Sequence, residues 1–132
     1  MTGTFYLTSV QDSDGVGTPG ATSVLGYTTG VGGAVTQGTS RTTAVTCNAV
    51  CGAITLYTAA GSATAASFTV NNSEVAATDT IVLSVKSSTT NLYNAIVTAV
   101  GAGSFQITFY TTGGTTSDAP VFNFAVVTAV AA

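Results

Sequence analysis

Carboxylates are the first side chains in this sequence whose spacing could support chemistry. Asp12, Asp14 and the following Gly15 are typical of the start of a calcium-binding loop, in which alternating carboxylates ligate a hard cation. The twelfth position of such a loop needs a bidentate glutamate, and Ser23 stands there instead. We therefore interpret the segment as a turn that carries two solvated acids, and we expect no metal site.

Glu74 and Asp79 are a second pair of carboxylates, in a predicted loop between two strands. Paired carboxylates carry out glycoside hydrolysis when one of them has a raised pKa and both flank a sugar cleft. No pocket-forming feature accompanies this pair in the sequence, so we do not interpret it as a catalytic dyad.

Cys47 and Cys51 are the only cysteines in the chain. Two thiols without a histidine cannot complete a tetrahedral zinc site within one chain. We favour the interpretation that both are small, buried apolar residues, because free cysteine is often buried. A local disulfide between them is the alternative, since hairpin geometry could bring their Cα atoms within bonding range, and redox catalysis is a third interpretation.

The scarcity of charge restricts the chemistry further. The chain has 132 residues, of which two are basic, five are acidic and none is histidine. General acids, general bases, metal ligands and activated nucleophiles come mainly from these scarce types, so we predict a protein that is not an enzyme and uses no cofactor. Ordinary domains carry about 25% charged residues, and a surface this neutral favours a chain that works inside an assembly.

Charge and hydropathy also restrict the partners. Arg41 and Lys86 are far apart in sequence and the net charge is −3, so we predict no nucleic-acid partner. The N-terminus lacks the basic region and apolar stretch of a secretory signal, which predicts synthesis and retention in a cytoplasm. The apolar stretch 121–132 is shorter than the ~20 residues of a spanning helix, so we predict no membrane partner.

Period-two alternation of apolar residues predicts an all-β fold, an antiparallel β-sandwich with an extended N-terminal arm. Short runs with one apolar face are separated by Gly, Ser and Asn, and the Ala-rich stretch 58–66 is expected to be a loop. The predicted strands are 34–37, 43–47, 53–58, 67–71, 80–86, 92–100, 105–110 and 121–127.

The aromatic residues of these strands are expected to have two roles. The large apolar side chains expected in the core are Phe68, Phe105, Phe109, Phe122 and Phe124. Tyr57, Tyr93 and Tyr110 are the aromatic residues expected to tolerate exposure and to serve as ligand or interface contacts.

The chain divides into an arm, residues 1–31, and a sandwich domain, residues 32–132. The arm contains one short predicted strand, 5–10, followed by turn-forming residues. A mobile leader and a segment that becomes ordered on another subunit are both consistent with this pattern. The apolar residues of the arm make it a candidate assembly contact. Arg41 and Lys86 are either solvated strand-end residues or orienting contacts in the domain. The candidate assembly contacts are Phe5, Tyr6, Leu7, Leu25, Tyr27 and Arg41.

Seven short pieces occur in a fixed order along the domain. They are Gly33–Gln37, Thr43–Thr46, Cys51–Thr55, Ser67–Val70 with Asn72-Ser73, Ala76–Asp79, Ala102–Phe105 and Asn123–Val126. In this order they resemble a β-sandwich module that recurs in structural proteins of tailed bacteriophages. Cys47 departs from the aliphatic residue expected at its position, and the arm lies outside the resemblance.

The resemblance implies a jelly-roll-like sandwich and a role on the virion. It implies a capsid decoration or cement protein on the outer capsid surface, with the major capsid protein and two further copies of itself as partners in a homotrimer. The alternative is the receptor-binding tip module of a tail fibre or tail spike. A third interpretation is a general self-assembling surface or pilus-like protein, which would form open fibres instead of closed trimers.

Overall fold

Strands account for all the regular secondary structure of the part of the chain that the computed structural model describes, which is Tyr27, residues 30–87 and residues 90–129. Most of the arm, including the predicted strand 5–10, lies outside these residues. In chain order the strands are β1 (Gly32–Thr36), β2 (Val45–Thr46), β3 (Cys51–Thr55), β4 (Ala59–Ala60), β5 (Ala66–Asn71), β6 (Thr80–Ser87), β7 (Leu92–Gly101), β8 (Ser104–Gly113), β9 (Ser117–Asp118) and β10 (Val121–Val127).

Two four-stranded sheets share one core, and we call them sheet I and sheet II. Sheet I has the order β1-β3-β10-β6, and sheet II has the order β2-β5-β8-β7. The short strands β4 and β9 pair with each other at one end of the sandwich. Most connections carry the chain from one sheet to the other, which places residues distant in sequence side by side.

All eight predicted strands occur, and the all-β, sandwich-like prediction is confirmed for the described residues. Two features differ from the prediction. Strand β1 runs parallel to β3 and β2 runs parallel to β5, whereas the other five strand pairs among the described residues are antiparallel. The predicted loop 58–66 contains no helix, but its residues Ala59 and Ala60 form the two-residue strand β4, which the sequence pattern did not indicate.

The core lies between the inner faces of the two sheets. All five phenylalanines predicted for it are buried, which confirms that prediction. Phe105 of sheet II meets Phe124 of sheet I with ring centroids 5.3 Å apart, and Phe109 meets Phe122 at 5.9 Å. Each such ring buries about 150–250 Å², so these contacts hold the sheets together.

A tight hairpin joins β7 to β8 and defines one end of the sandwich, which we call the hairpin end. Gly103 has a φ of 78°, a left-handed conformation that glycine adopts without the steric cost of a Cβ. Its amide donates to the carbonyl of Val75, and its carbonyl accepts from the amide of Asn72. These bonds tie the hairpin to the loop before β6.

Candidate assembly surfaces

The opposite end of the sandwich is held by a buried ion pair. Arg41, in the connection between β1 and β2, places Nη2 3.0 Å from Oδ1 of Asp118 in β9. The Arg41 side chain is 10% exposed and the Asp118 side chain is fully buried. A buried carboxylate needs a partner of opposite charge, and Arg41 provides it.

The Arg41 guanidinium also donates hydrogen bonds to backbone carbonyls. Nε donates to the carbonyl of Tyr57 at 3.0 Å, and Nη1 donates to that of Ala60 at 3.3 Å. Nη2 also donates to the Asp118 carbonyl at 2.6 Å. The guanidinium carbon lies 5.5 Å from the centre of the Tyr93 ring, a cation–π contact. Arg41 therefore ties the β1–β2 connection to the β3–β4 connection, to β4 and β9, and to the start of β7.

Asp118 is shared among several donors. The Tyr93 hydroxyl donates to Oδ1, and Nδ2 of Asn91 donates to Oδ2 at 2.9 Å. Burial raises the pKa of the Tyr93 phenol above its usual value, and the hydrogen bond to Asp118 raises it further. We call these four residues, Arg41, Asn91, Tyr93 and Asp118, the polar network.

Gln37 extends the network into the β1–β2 connection. Its Nε2 donates to the carbonyls of Thr43 at 2.9 Å and Arg41 at 3.1 Å, and its Oε1 accepts from the amide of Tyr57. The buried Asn91 Oδ1 has no hydrogen-bond partner among the described residues. A Cβ at Gly114 would lie 2.3 Å from that oxygen, and Gly114 has a φ of 85°, so only glycine fits there.

The two remaining described carboxylates have different environments. Asp79 is buried, and its Oδ2 accepts from the amide of Ala76 at 2.9 Å while Oδ1 accepts from the amide of Ala129 at 3.3 Å. Glu74 is exposed. Asp79 therefore stabilises the loop in which it lies. The described residues contain no group of three or more His, Cys, Asp or Glu that could hold a metal ion.

Both cysteines are free thiols. Cys47 is buried and Cys51 is partly buried at the start of β3, which agrees with the favoured interpretation better for Cys47 than for Cys51. Burial raises the pKa of the Cys47 thiol, and the nearby Cys51 adds to the effect. A Cβ at Gly33 would lie 2.6 Å from the Cys47 sulfur, so glycine allows the sulfur to pack against β1.

The structure separates the predicted contact residues. Phe5, Tyr6, Leu7 and Leu25 lie outside the described residues. Tyr27 is exposed, and its hydroxyl donates to the carbonyl of Val126 at the end of β10. Arg41 is engaged within the chain, so its role as an orienting contact stays a prediction. Tyr57 and Tyr110 are exposed as expected, whereas Tyr93 belongs to the polar network.

A group of apolar side chains on β6 and β7 was not singled out in the sequence. Leu92 is 69% exposed, Ile96 is 59% exposed and Val85 is 37% exposed. Val82 is also exposed, but it pairs with Ala125 and lies on the outer face of sheet I. Strands β6 and β7 are edge strands of opposite sheets and contact each other along one side of the sandwich. We call this side, defined by Val85, Leu92 and Ile96, the β6–β7 flank. The sequence of β7 contains a signal for these exposed residues. Tyr93, Ala95 and Val97 alternate along one face of the strand, and Leu92 and Ile96 are apolar residues on the other face.

Part of the outer face of sheet II carries uncharged polar side chains. The Ser67 and Thr108 hydroxyls lie 2.8 Å apart across β5 and β8, and the Thr98 and Thr108 hydroxyls lie 2.9 Å apart across β7 and β8. Thr98 also donates to Oε1 of Gln106 at 3.0 Å. Hydroxyl and amide groups arranged this way can hydrogen-bond to a neutral polar partner.

The cleft beside the polar network is too small for an organic ligand. It lies between Arg41, Tyr93 and Thr111 and has a volume of about 70 Å³. Ligand pockets are typically about 300–1,000 Å³, so this cleft has room for water only.

Two further observations concern partners. Over the described ranges 27, 30–87 and 90–129, no helix is long and apolar enough to cross a membrane. Comparison of the chain with protein-family models, with curated proteins and with solved structures gave no match.

Proposed function

We propose that this chain is a non-enzymatic structural protein of a phage virion, a capsid decoration or cement protein. It binds the outer capsid lattice as a homotrimer, stabilises the major capsid protein and is synthesised in the host cytoplasm. We further propose that the sandwich is jelly-roll-like, because most of its successive strands alternate between the two sheets. The sequence pieces from Gly33 to Val126 support the virion assignment by resemblance.

The observation that carries the proposal is the distribution of charge. Of the five described charged residues, Arg41 and Asp118 neutralise each other and Asp79 is buried. Glu74 and Lys86 alone are exposed. A soluble monomer commonly has about 25–35% charged residues on its surface, which keeps copies apart. Sheet faces that lack this protection are suited to permanent contact with neighbouring proteins.

Multivalent contact gives the mechanism. A trimer at a point where three capsomers meet makes three equivalent contacts at once, and each contact raises the effective concentration for the next. Individually weak contacts between neutral surfaces then give stable attachment. No catalytic group is needed for this function.

A receptor-binding tail tip is the second candidate. The exposed Tyr57 and Tyr110 and the hydroxyl and amide groups of sheet II favour it, because neutral glycans are bound by aromatic faces and hydrogen-bonding side chains. The two candidates predict different targets, which are purified capsids for cement and host cells for a tail tip.

The experiment that separates them is a binding assay on both targets. Purified chain is incubated with undecorated capsids and, in parallel, with host cells. Cement predicts saturable retention on capsids and little on cells, and the reverse result would favour the tail tip. Deletion of residues 1–31 leaves a chain that begins at β1 and should fold, yet it should lose capsid occupancy. Undiminished occupancy would contradict a role for the arm.

A further inference from the structure

We propose that the β6–β7 flank is the docking site for the segment Phe5–Val10 of a second copy of this chain. The segment adds as a strand to the free edge of β7 and covers incompletely buried core-facing side chains beside it. This inference rests on the proposed trimer, and it names the contact that holds the trimer together.

The free edge of β7 is the first reason. β7 has ten residues and pairs with β8 on one side, and no described strand pairs with its other side. It contains no charged residue and no proline, which are the residues that usually protect an edge strand from pairing. Its pairing with β8 has two register shifts, one between Leu92 and Tyr93 and one between Val97 and Ala99, and the residues between them pair in regular register. Such an edge is a template for another strand.

Incomplete burial of core-facing side chains beside β7 is the second reason. Phe122 and Phe124 lie on the inner face of the central strand β10 and are buried. Val85 pairs with Phe122 and Leu83 pairs with Phe124, so both point to the same inner face. Val85 is nevertheless exposed and Leu83 is only partly buried. An added strand would cover these inner-facing side chains with one face, and its other face would lie beside Ile96, which pairs with Thr108 on the outer face of sheet II.

The chemistry of the segment fits this site. The sequence from Phe5 to Val10 has no charge, no glycine and no proline. In an extended strand Phe5 and Leu7 would share one face, and Tyr6 would lie on the other. Six residues pair with six of the ten positions of β7, and the apolar face can be directed to the incompletely buried core-facing side chains.

The length of chain outside the structure allows the segment to reach a neighbour. Tyr27 is fixed near the end of β10, the strand that pairs with β6. The residues between Val10 and Tyr27 span up to about 3.3–3.6 Å each when extended, which exceeds the ~13 Å radius of gyration of a domain of this size. When each copy donates one segment and accepts one, the heterologous contact closes into a ring of three.

Cysteine cross-linking between differently tagged copies tests the docking directly. One copy carries Thr8→Cys and the other carries Asn94→Cys or Thr98→Cys on β7, both in a Cys51→Ala background. We expect mild oxidation of the mixture to give a disulfide between the two tagged chains at one of the β7 positions. A partner with Thr36→Cys serves as the control and should give no cross-link, because Thr36 is exposed on β1, at the opposite edge of sheet I from β6.

Two outcomes would overturn the inference. In the first, both cysteines are placed in one chain, and this chain is oxidised at high dilution and also after mixing with a differently tagged copy. If the disulfide forms only within single chains under both conditions, the segment docks on its own domain. If neither β7 position cross-links above the Thr36→Cys control, the segment does not dock on this edge.

The mass of the assembly provides a second test. Ile96→Lys places a charge on the exposed flank, and we expect the trimer mass to fall to the monomer mass with an unchanged far-ultraviolet circular dichroism spectrum. Thr36→Lys, exposed on the opposite edge strand β1, is the matched control and should keep the trimer mass. Trimer mass retained by Ile96→Lys would contradict the docking. Both tests use the isolated protein, so a chain that cross-links but does not bind capsids would refute the capsid function and leave this inference standing.

Discussion

Arg41 and Asp118 form a buried ion pair across 77 residues of sequence, with Nη2 and Oδ1 3.0 Å apart. The pair joins the β1–β2 connection to β9 and fixes the end of the sandwich that lies opposite the hairpin. It also removes two of the few charges of this chain from the surface. The same contact therefore stabilises the fold and contributes to the neutral exterior on which the proposed function rests.

Replacing Asp118 by Asn should destabilise the protein strongly. The substitution leaves the Arg41 guanidinium buried without a counter-charge, and breaking a buried pair commonly costs about 3–5 kcal/mol. Urea unfolding should show a free energy of unfolding lower by about 3 kcal/mol. The exposed Lys86→Met is the control and should change it by less than about 0.5 kcal/mol. Equal effects of the two substitutions would show that the pair is not an anchor.

Tyr93→Phe should change the pH dependence of stability. The folded-state pKa of Tyr93 is raised above its usual value by burial first and by Asp118 second. Stability from a raised pKa is fully present below the unfolded-state pKa, which is about 10 for tyrosine, and is lost as pH rises through the folded-state pKa.

Urea unfolding of both proteins between about pH 8 and pH 11 measures this effect. The wild type should be more stable than Tyr93→Phe by about 1.5–3 kcal/mol at the lower pH, the usual worth of a hydrogen bond to a charged group. The difference should shrink above about pH 10. A difference that is constant with pH would mean that Tyr93 does not titrate in the folded protein as described.

The two cysteines should differ in reactivity. Cys47 is buried and has a raised pKa, so it has less thiolate than an exposed cysteine, whereas Cys51 is partly exposed. Brief treatment of the native protein with iodoacetamide, followed by peptide mass mapping, should show modification at Cys51 first. Equal rates would contradict the burial of Cys47, and a native mass lower by two hydrogens would show the disulfide instead.

Gly52→Ala should destabilise the centre of sheet I. A Cβ at this position would lie 2.8 Å from the Gly33 carbonyl oxygen and 2.9 Å from Cε1 of Phe124. Overpacking of this kind costs about 1–3 kcal/mol in thermal or urea unfolding. Gly38→Ala is the matched control, because its Cβ would meet nothing within 4 Å and should leave stability unchanged or slightly raised. A neutral Gly52→Ala would show that β1 and β3 can separate.

The strands could be predicted from the sequence because their signal is local. Alternation of Phe105, Ile107 and Phe109 is visible in five consecutive residues, and the same holds for Phe122 and Phe124. The parallel pairing of β1 with β3 could not be predicted, since it depends on which strands become neighbours after the chain has crossed between the sheets several times.

The polar network was missed for a related reason. Arg41, Asn91 and Asp118 are isolated in the sequence, and each alone is typical of a solvated loop residue. They come together only through the connections at one end of the sandwich. The scarcity of charge was the one usable signal. A chain with only two basic residues has few ways to neutralise a buried carboxylate, so a buried acid neutralised by a cation would have to pair with Arg41 or Lys86.

Location of the chain on an intact virion tests the central claim most directly. Electron cryomicroscopy of virions with and without the protein would give a difference map. The proposed function predicts density with three-fold symmetry on the outer capsid surface where three capsomers meet. Density confined to the tail, or none on the particle, would contradict it.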